Sequence, residues 1–212
     1  MKKIKVISVV ALLAMVTAVN AQVSLGIKGG VNMSNFWGDE LTDKNLKMGF
    51  HGGIATDFEV TPGVAIQSGL FFTTKGAKFE KEYPVVGKVE LTSDAYYLQL
   101  PLYFAYKVDV MPGTRIAFHA GPYAAYGIGG KQKVKNQWTD ALRDVLGKPE
   151  MNTFDKDHGF KPFDAGIGFG VGAEFSHFLI DLGWDMGLVN ISQSEKGNIK
   201  NQNAYLSVGF KF

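Results

Sequence analysis

The sequence predicts an all-β protein, an eight-stranded antiparallel up-and-down transmembrane β-barrel with short periplasmic turns and long extracellular loops. Three observations predict it. Apolar residues recur at every second position in eight separate runs. The connections between those runs are alternately short and long. The residues between the apolar ones are mostly glycines and charges of both signs. A period of two is the mark of a strand, whose side chains point by turns to opposite faces.

The chain opens with Lys2, Lys3 and Lys5, an apolar run from Val6 to about Val19, and Val19-Asn20-Ala21 before Gln22. A basic start, a short apolar stretch and small residues before a junction make a secretory signal. The run falls short of the roughly 20 residues a spanning helix needs. The expected organisation is a signal peptide at 1–21 and one barrel domain at 22–212. Of 22 basic side chains, three lie in the signal, which leaves 19 against 20 acidic ones, a net charge of −1. Nothing in that balance calls for nucleic acid or a polybasic membrane patch. The chain has no cysteine, so packing and hydrogen bonds must hold it together without disulfides. Its 26 glycines sit inside apolar stretches rather than in linkers, and no domain boundary is visible.

The first run carries Val23, Leu25, Ile27, Val31 and Met33 on one face, with Ser24, Lys28 and Asn32 between them. In the second, Phe50, Ile54, Phe58 and Val60 oppose His51, Asp57 and Glu59. The third sets Val64, Ile66, Leu70 and Phe72 against Gln67 and Gly69. The fourth sets Leu98, Leu100, Leu102, Phe104 and Tyr106 against Tyr97, Gln99, Tyr103 and Lys107. Ile116, Phe118, Ala124 and Tyr126 oppose Arg115, His119 and Gly121 in the fifth. In the sixth, Phe163 to Phe175 alternate with Asp164, four glycines and Glu174. The seventh places Phe178, Ile180, Leu182, Trp184, Met186 and Leu188 against Asp181, Gly183, Asp185 and Gly187. The eighth is the terminal AYLSVGFKF, residues 204–212. Pro101 and Pro122 fall within runs, where each removes a ladder donor, so bulges or register shifts are expected there. Ser68 and Thr56 fall on the apolar face.

Runs two and three meet at VTPGV and runs four and five at DVMPGT, both with a Pro-Gly turn signal, and runs six and seven meet at FSHF. The remaining connections are long: 36–47, 75–93, 130–162 and 190–203. That layout belongs to outer-membrane barrels and puts both chain ends on the short-turn side.

The second face decides what surrounds the barrel. A soluble barrel of the lipocalin kind keeps its apolar side chains inside, around a ligand. Here the polar face is rich in glycine and nearly balanced in charge. That suits a narrow interior, and it turns the apolar face towards lipid. Buried charges persist only when paired, so the sequence predicts a lumen ion-pair network of Lys28, Asp57, Glu59, Lys107, Arg115, Glu174, Asp181, Asp185 and Lys211. Within it, Asp181 and Asp185 are expected to pair with Arg115 or Lys107. Phe58, Phe104, Tyr106, Tyr126, Phe178, Phe210 and Phe212 lie near run ends, where aromatic girdles sit.

Several segments resemble a known family. GIKGGVNMSNF (26–36) looks like its opening strand and YYLQLPLYFAYK (96–107) is similar to its central Tyr-Leu-x-x-Pro-Leu strand. GFGVGAEF (168–175) and the terminal GFKF complete the pattern. The family is the PorT-like outer-membrane β-barrel domain group, similar in architecture to the eight-stranded barrels of the outer-membrane protein A and X type. The resemblance implies outer-membrane localisation and no catalytic residues. It further implies that Tyr205, Phe210 and Phe212, in a last strand ending in phenylalanine, form the signal read by the outer-membrane insertion machinery.

Other sites are weak. The histidines at 51, 119, 158 and 177 show no metal spacing. DKDH (155–158) lacks a full ligand set, and GFGVGAEF is a strand rather than a phosphate-cradling turn. No cofactor is expected. In the third long connection, Trp138, Leu142, Val145 and Leu146 recur at helical spacing between Thr139 as cap and Gly147 as stop. They predict a short amphipathic helix, a docking surface for a protein partner or a lid. The functional expectation is a non-enzymatic membrane protein with a side-chain-filled lumen, acting through its extracellular loops. A narrow channel or small-molecule transporter, and then a secreted lipocalin-like carrier, are the alternatives.

Overall fold

The computed structural model describes residues 22–38, 44–83, 87–136, 150–155, 159–193 and 197–212. Eleven strands follow in order: β1 (Gln22–Gly38), β2 (Lys44–Asn45), β3 (Lys47–Thr61), β4 (Val64–Tyr83), β5 (Gly87–Met111), β6 (Thr114–Gly129), β7 (Lys131–Asn136), β8 (Glu150–Asn152), β9 (Phe163–Phe175), β10 (Phe178–Gly187) and β11 (Ile199–Lys211). Eight of them form the wall. β1 pairs with β3, β3 with β4, β4 with β5, β5 with β6, β6 with β9, β9 with β10 and β10 with β11, all antiparallel. β11 then pairs with β1 from Lys211 opposite Gly26 to Ile199 opposite Gly38, which closes the barrel.

The apolar face points outward. Phe169, Leu182 and Trp184 are 52%, 55% and 43% exposed, whereas Glu174 and Asp181 are 6% and 4% exposed, so the charged face is the interior. Aromatic side chains mark two levels on the outer surface. Phe50, Phe72 and Tyr96 form one contact chain, with ring centroids 5.8 and 5.9 Å apart, and Tyr126 and Phe163 lie opposite one another in register. Phe104, Tyr106, Phe118, Phe175, Phe178 and Phe212 form the other level, near the short turns. On β5 the two levels are set by Tyr96 and Tyr106, with exposed Leu98, Leu100 and Leu102 between them. Eleven tilted residues at about 3.3 Å each span a band roughly 25 Å tall, the height of a bilayer's apolar belt.

Two expectations need correction. The connection at 75–93 is not a loop. β4 and β5 stay paired up to Tyr83 opposite Gly87, far past the upper aromatic level, because Lys78 to Tyr83 and Gly87 to Thr92 continue the ladder. β2 adds to the free side of β4, and β7 then β8 add to β5, so the barrel wall continues into a sheet beyond its long-loop end. The prolines also leave the register unchanged. Pro101 pairs with Tyr123 on the same count as Leu100 with Ala124 and Phe104 with Ala120; the irregularities lie instead at Glu59/Thr61, Tyr96/Tyr97 and Asp109/Met111. Ser68 Oγ donates to the Pro101 carbonyl at 2.8 Å, which satisfies the hydroxyl that alternation sets on the apolar face.

Glycine lets the closing strands approach. A Cβ at Gly30 would collide with the Leu206 carbonyl and the Ser207 Cα, both backbone, whereas one at Gly52 would meet nothing nearer than 3.8 Å. Gly30→Val is therefore expected to destabilise the folded barrel by about 1–3 kcal/mol, the usual cost of overpacking, and Gly52→Ala to leave it unchanged. Urea titration in lipid vesicles, read by the gel shift between folded and boiled samples, checks both.

Candidate functional site

The lumen is filled in three tiers. At the turn end, Lys107 on β5 reaches Asp57 at 2.6 Å and Glu174 at 3.0 Å. Lys211 on β11 reaches the same two carboxylates at 3.3 and 2.7 Å. Arg115 on β6 bridges Glu59 at 3.1 Å and Glu174 at 3.0 Å. Gln67 Nε2 donates to Asp57 at 3.0 Å. Arg115 faces Glu174 in register on the adjacent strand β9, whereas the other ion pairs of this tier reach over one or two intervening strands.

In the middle tier Lys28 pairs with Asp181. Asp185 accepts from Gln99 Nε2 and from the Tyr103 hydroxyl, each at 2.8 Å. The expected pairing of Asp181 and Asp185 with Arg115 or Lys107 is not what the fold builds. The two aspartates lie on β10 nearer the long-loop end than Glu174, and the turn-end tier already occupies both cations. His119 stacks on Tyr103 with centroids 5.2 Å apart, and its Nε2 lies 3.3 Å from the Tyr205 hydroxyl. His51 Nε2 lies 2.7 Å from Ser207 Oγ, but its Nδ1 has no partner among the described residues. That serine–histidine pair lacks the third group that orients the base of an acyl-transfer triad.

The outer tier escapes alternation because the apolar rhythm of the third run ends at Phe72. Extending that run by three residues puts Lys75 inside, fully buried, against Asp164 at 3.1 Å. The Lys75 ammonium also sits 4.6 Å from the Tyr123 ring centre and 5.4 Å from that of Tyr97. Asn201 Nδ2 donates to the same carboxylate at 3.0 Å. Above this pair the mouth is capped. Phe154 lies over Gly127 and edge-on to Tyr97 at 5.4 Å. Phe36, Ala77 and Ile191 form a second buried cluster with Phe79, Phe160 and Ile199, and Phe160 meets Phe36 edge-on at 5.2 Å. Backbone bonds between Lys161 and Ile191 (2.8 Å) and from Phe160 to the Thr153 carbonyl (2.7 Å) tie the long connections together over the opening. Phe36 turns inward because β1 loses its alternation at Asn35, both residues being buried.

Between the cap and the turn-end ions lies a cavity of about 100 Å³, lined among others by Lys28, His51, Gln99, His119, Asp181 and Asp185. Among the described residues no group of three histidines or carboxylates is placed to hold a metal ion. Trp138, Leu142, Val145 and Leu146, and with them the expected helix, lie outside the described residues, as do Asp157 and His158. Phe212 is exposed and meets Phe210 edge-on at 5.7 Å, at the outer surface of the turn end. Tyr205 does not join that surface; it points into the lumen, against His51 at 5.5 Å and His119.

The outer membrane protein beta-barrel domain, as a sequence family, matches residues 19–193 of the chain. The chain belongs to that family. It is an outer-membrane protein, and the outward face between the two aromatic levels is the face that meets lipid. No curated protein sequence matches the chain. Among solved structures, a major outer membrane protein from Thermus thermophilus is 13% identical, covers 90% of this chain and 100% of its own, and superposes with a TM-score of 0.51. Neisserial surface protein A is 14% identical over 90% of this chain and 99% of its own, with a TM-score of 0.45. The attachment invasion locus protein Ail of Yersinia pestis, solved with the heparin analogue sucrose octasulfate, is 13% identical over 90% and 99%, with a TM-score of 0.44. At such identities the likeness speaks to the fold alone.

The turn-end tier makes a graded prediction. Lys107 is nearly fully buried on two carboxylates, so Lys107→Met should cost about 3–5 kcal/mol, the usual loss when one partner of a buried pair is removed. Lys211→Met should cost less, because its side chain is 14% exposed and Lys107 still neutralises both acids. The double variant should lose more than the sum, by about 0.5–3 kcal/mol, since the lysines share their partners. A double-mutant cycle of urea unfolding in vesicles measures all three.

Proposed function

We propose that this is a non-enzymatic outer-membrane barrel with a closed lumen, which acts as a structural and interaction protein through its extracellular sheet. The observation that carries this reading is the aromatic cap over the buried Lys75–Asp164 pair, with the three-cation, three-anion tier across the other end. Eight strands enclose an interior just wide enough for side chains to fill, and here both ends of it are packed. The rest of the chain's investment lies outside the membrane. β5 has 25 residues, more than twice the 9–11 that a tilted spanning strand needs. Together with β2, β4, β7 and β8 it builds a sheet that faces the surroundings of the cell. The likeness of residues 26–36 and 96–107 to the PorT-like group supports a place within that branch, without extending to a role in protein secretion.

In planar bilayers the purified barrel should give no sustained current. A steady open conductance from the unmodified protein would overturn the closed-lumen reading in favour of the channel. Replacing residues 77–92 by a two-residue turn should leave the gel shift on boiling intact, because the wall between Tyr96 and Tyr106 does not depend on the sheet above it.

A further inference from the structure

Both ends of the lumen are packed, but the wall between them has a weak place. Pro101 lies halfway between Tyr96 and Tyr106 on β5, in the middle of the lipid-facing band. It has no N–H to offer β4. The β4–β5 pairs stop at Ser68 opposite Leu102 and resume at Phe71 opposite Gln99. Pro122 likewise has none to offer β5, and the β5–β6 pairs stop at Pro101 opposite Tyr123 and resume at Phe104 opposite Ala120. The Gly69 and Leu102 carbonyls face the missing donors and have no ladder partner among the described residues. Hydrocarbon supplies none, so β5 is held least firmly to both neighbours at one height. The lumen has room behind this gap for a related reason. Gly26 pairs with Ala55, Ala55 with Gly69, and the β4–β5 count sets Gly69 beside Pro101. That row carries nothing larger than a proline ring, and Gly26, Ala55 and Pro101 line the cavity of about 100 Å³. Gln99, next to Pro101 on the same face, is 7% exposed and lines the cavity too. Its Nε2 donates to Asp185, which fixes the amide's orientation and leaves Oε1 without a partner among the described residues.

We propose that this cavity binds one small neutral alcohol, aliphatic or aromatic, admitted from the lipid through the gap at Pro101. Its O–H donates to Gln99 Oε1 and its hydrocarbon body lies along Gly26, Ala55 and Pro101. The route decides for a neutral guest, because a charge is strongly disfavoured in hydrocarbon. An apolar cavity of roughly 150 Å³ takes benzene, so the present one suits a body no larger than a phenol. Entry requires β4 and β5 to part only around Gly69 and Pro101, and local opening is easiest where ladder bonds are fewest. The lateral route rests on the closed-lumen reading, since an open end would admit solutes from water instead. The competing occupant is water on the same amide oxygen.

The test uses the full folded barrel in lipid nanodiscs, with trifluoroethanol and 3-fluorophenol as probes for fluorine NMR. Each should give a bound resonance apart from the free and lipid-dissolved ones, and phenol should displace it. Fluorobenzene, which has no donor, should bind about tenfold more weakly, because it leaves the buried acceptor unsatisfied. Ala55→Leu, which fills the cavity, should remove the bound resonance. A second variant leaves the lumen untouched. Ser68 and Leu102 are a directly opposed pair at the edge of the gap, and the chain has no cysteine of its own. The Ser68→Cys, Leu102→Cys variant should form a disulfide there. Oxidised, it should slow exchange between bound and free probe several-fold, and reduction should restore the rate. Absence of a bound resonance for both alcohols, or fluorobenzene binding as tightly as 3-fluorophenol, overturns the site and leaves the cavity to water. A bound resonance that survives in folded Ala55→Leu overturns it too, by placing the probe elsewhere. Exchange indifferent to the disulfide overturns the lateral route. Failure of the closed-lumen reading would show differently, as current across a planar bilayer with the bound resonances intact.

Discussion

The ladder that joins β11 to β1 turns a sheet into a cylinder, and the rest of the molecule depends on that join. Hydrocarbon offers no partner to a backbone N–H or C=O, so a spanning sheet with a free edge would leave a row of them unsatisfied. Thirteen register pairs from Gly26–Lys211 to Gly38–Ile199 remove both edges at once. The join also brings Lys211, on the last strand, over the acids of β3 and β9. Closure of the wall and neutralisation of the lumen at the turn end are therefore one event.

Closure in turn dictates the interior. Eight strands leave a narrow space, and alternation sends half of the side chains into it. Glycine makes room at Gly168, Gly170 and Gly183, where Tyr103, His119 and Tyr205 lie across the gap. Charges fill the rest, because lipid on the outside leaves them nowhere else to go, and each is held by partners from other strands. Asp185 is also held from another strand, but by an amide and a phenol on β5 rather than by a cation.

Much of this was legible in the sequence. The period of two in FDAGIGFGVGAEF and FLIDLGWDMGL fixes which face is charged, since a one-residue slip would turn Asp181 to lipid. Lys107, Arg115, Glu174 and Lys211 could be placed in the lumen by counting alone. What counting cannot supply is height. Asp181 and Lys107 share a face but stand at different levels, and the level depends on strand tilt and register, which only the pairing of all eight strands sets. The extent of β4 and β5 is hidden for a related reason. Beyond Phe72 the strand leaves the lipid belt, so its outward positions no longer have to be apolar, and the apolar rhythm that marks a membrane strand fades while the ladder persists. Lys75 sits at that transition, so its buried pair with Asp164 is hidden with it. Phe36 and Ile191 meet only through the folding-over of long connections, a contact with no local signature.

The unbroken run of β4 and β5 from the turn at Pro62-Gly63 to the tip near Tyr83 has a mechanical consequence. Within the membrane their outer neighbours are β3 and β6. Tension applied to the tip, directed away from the cell, would pull these two strands lengthwise against those neighbours. That geometry loads many interstrand bonds together instead of unzipping them singly. A sheet continuous with the barrel is thus a stiff anchor for whatever grips it, where the same residues on a slack tether would yield at the first few bonds.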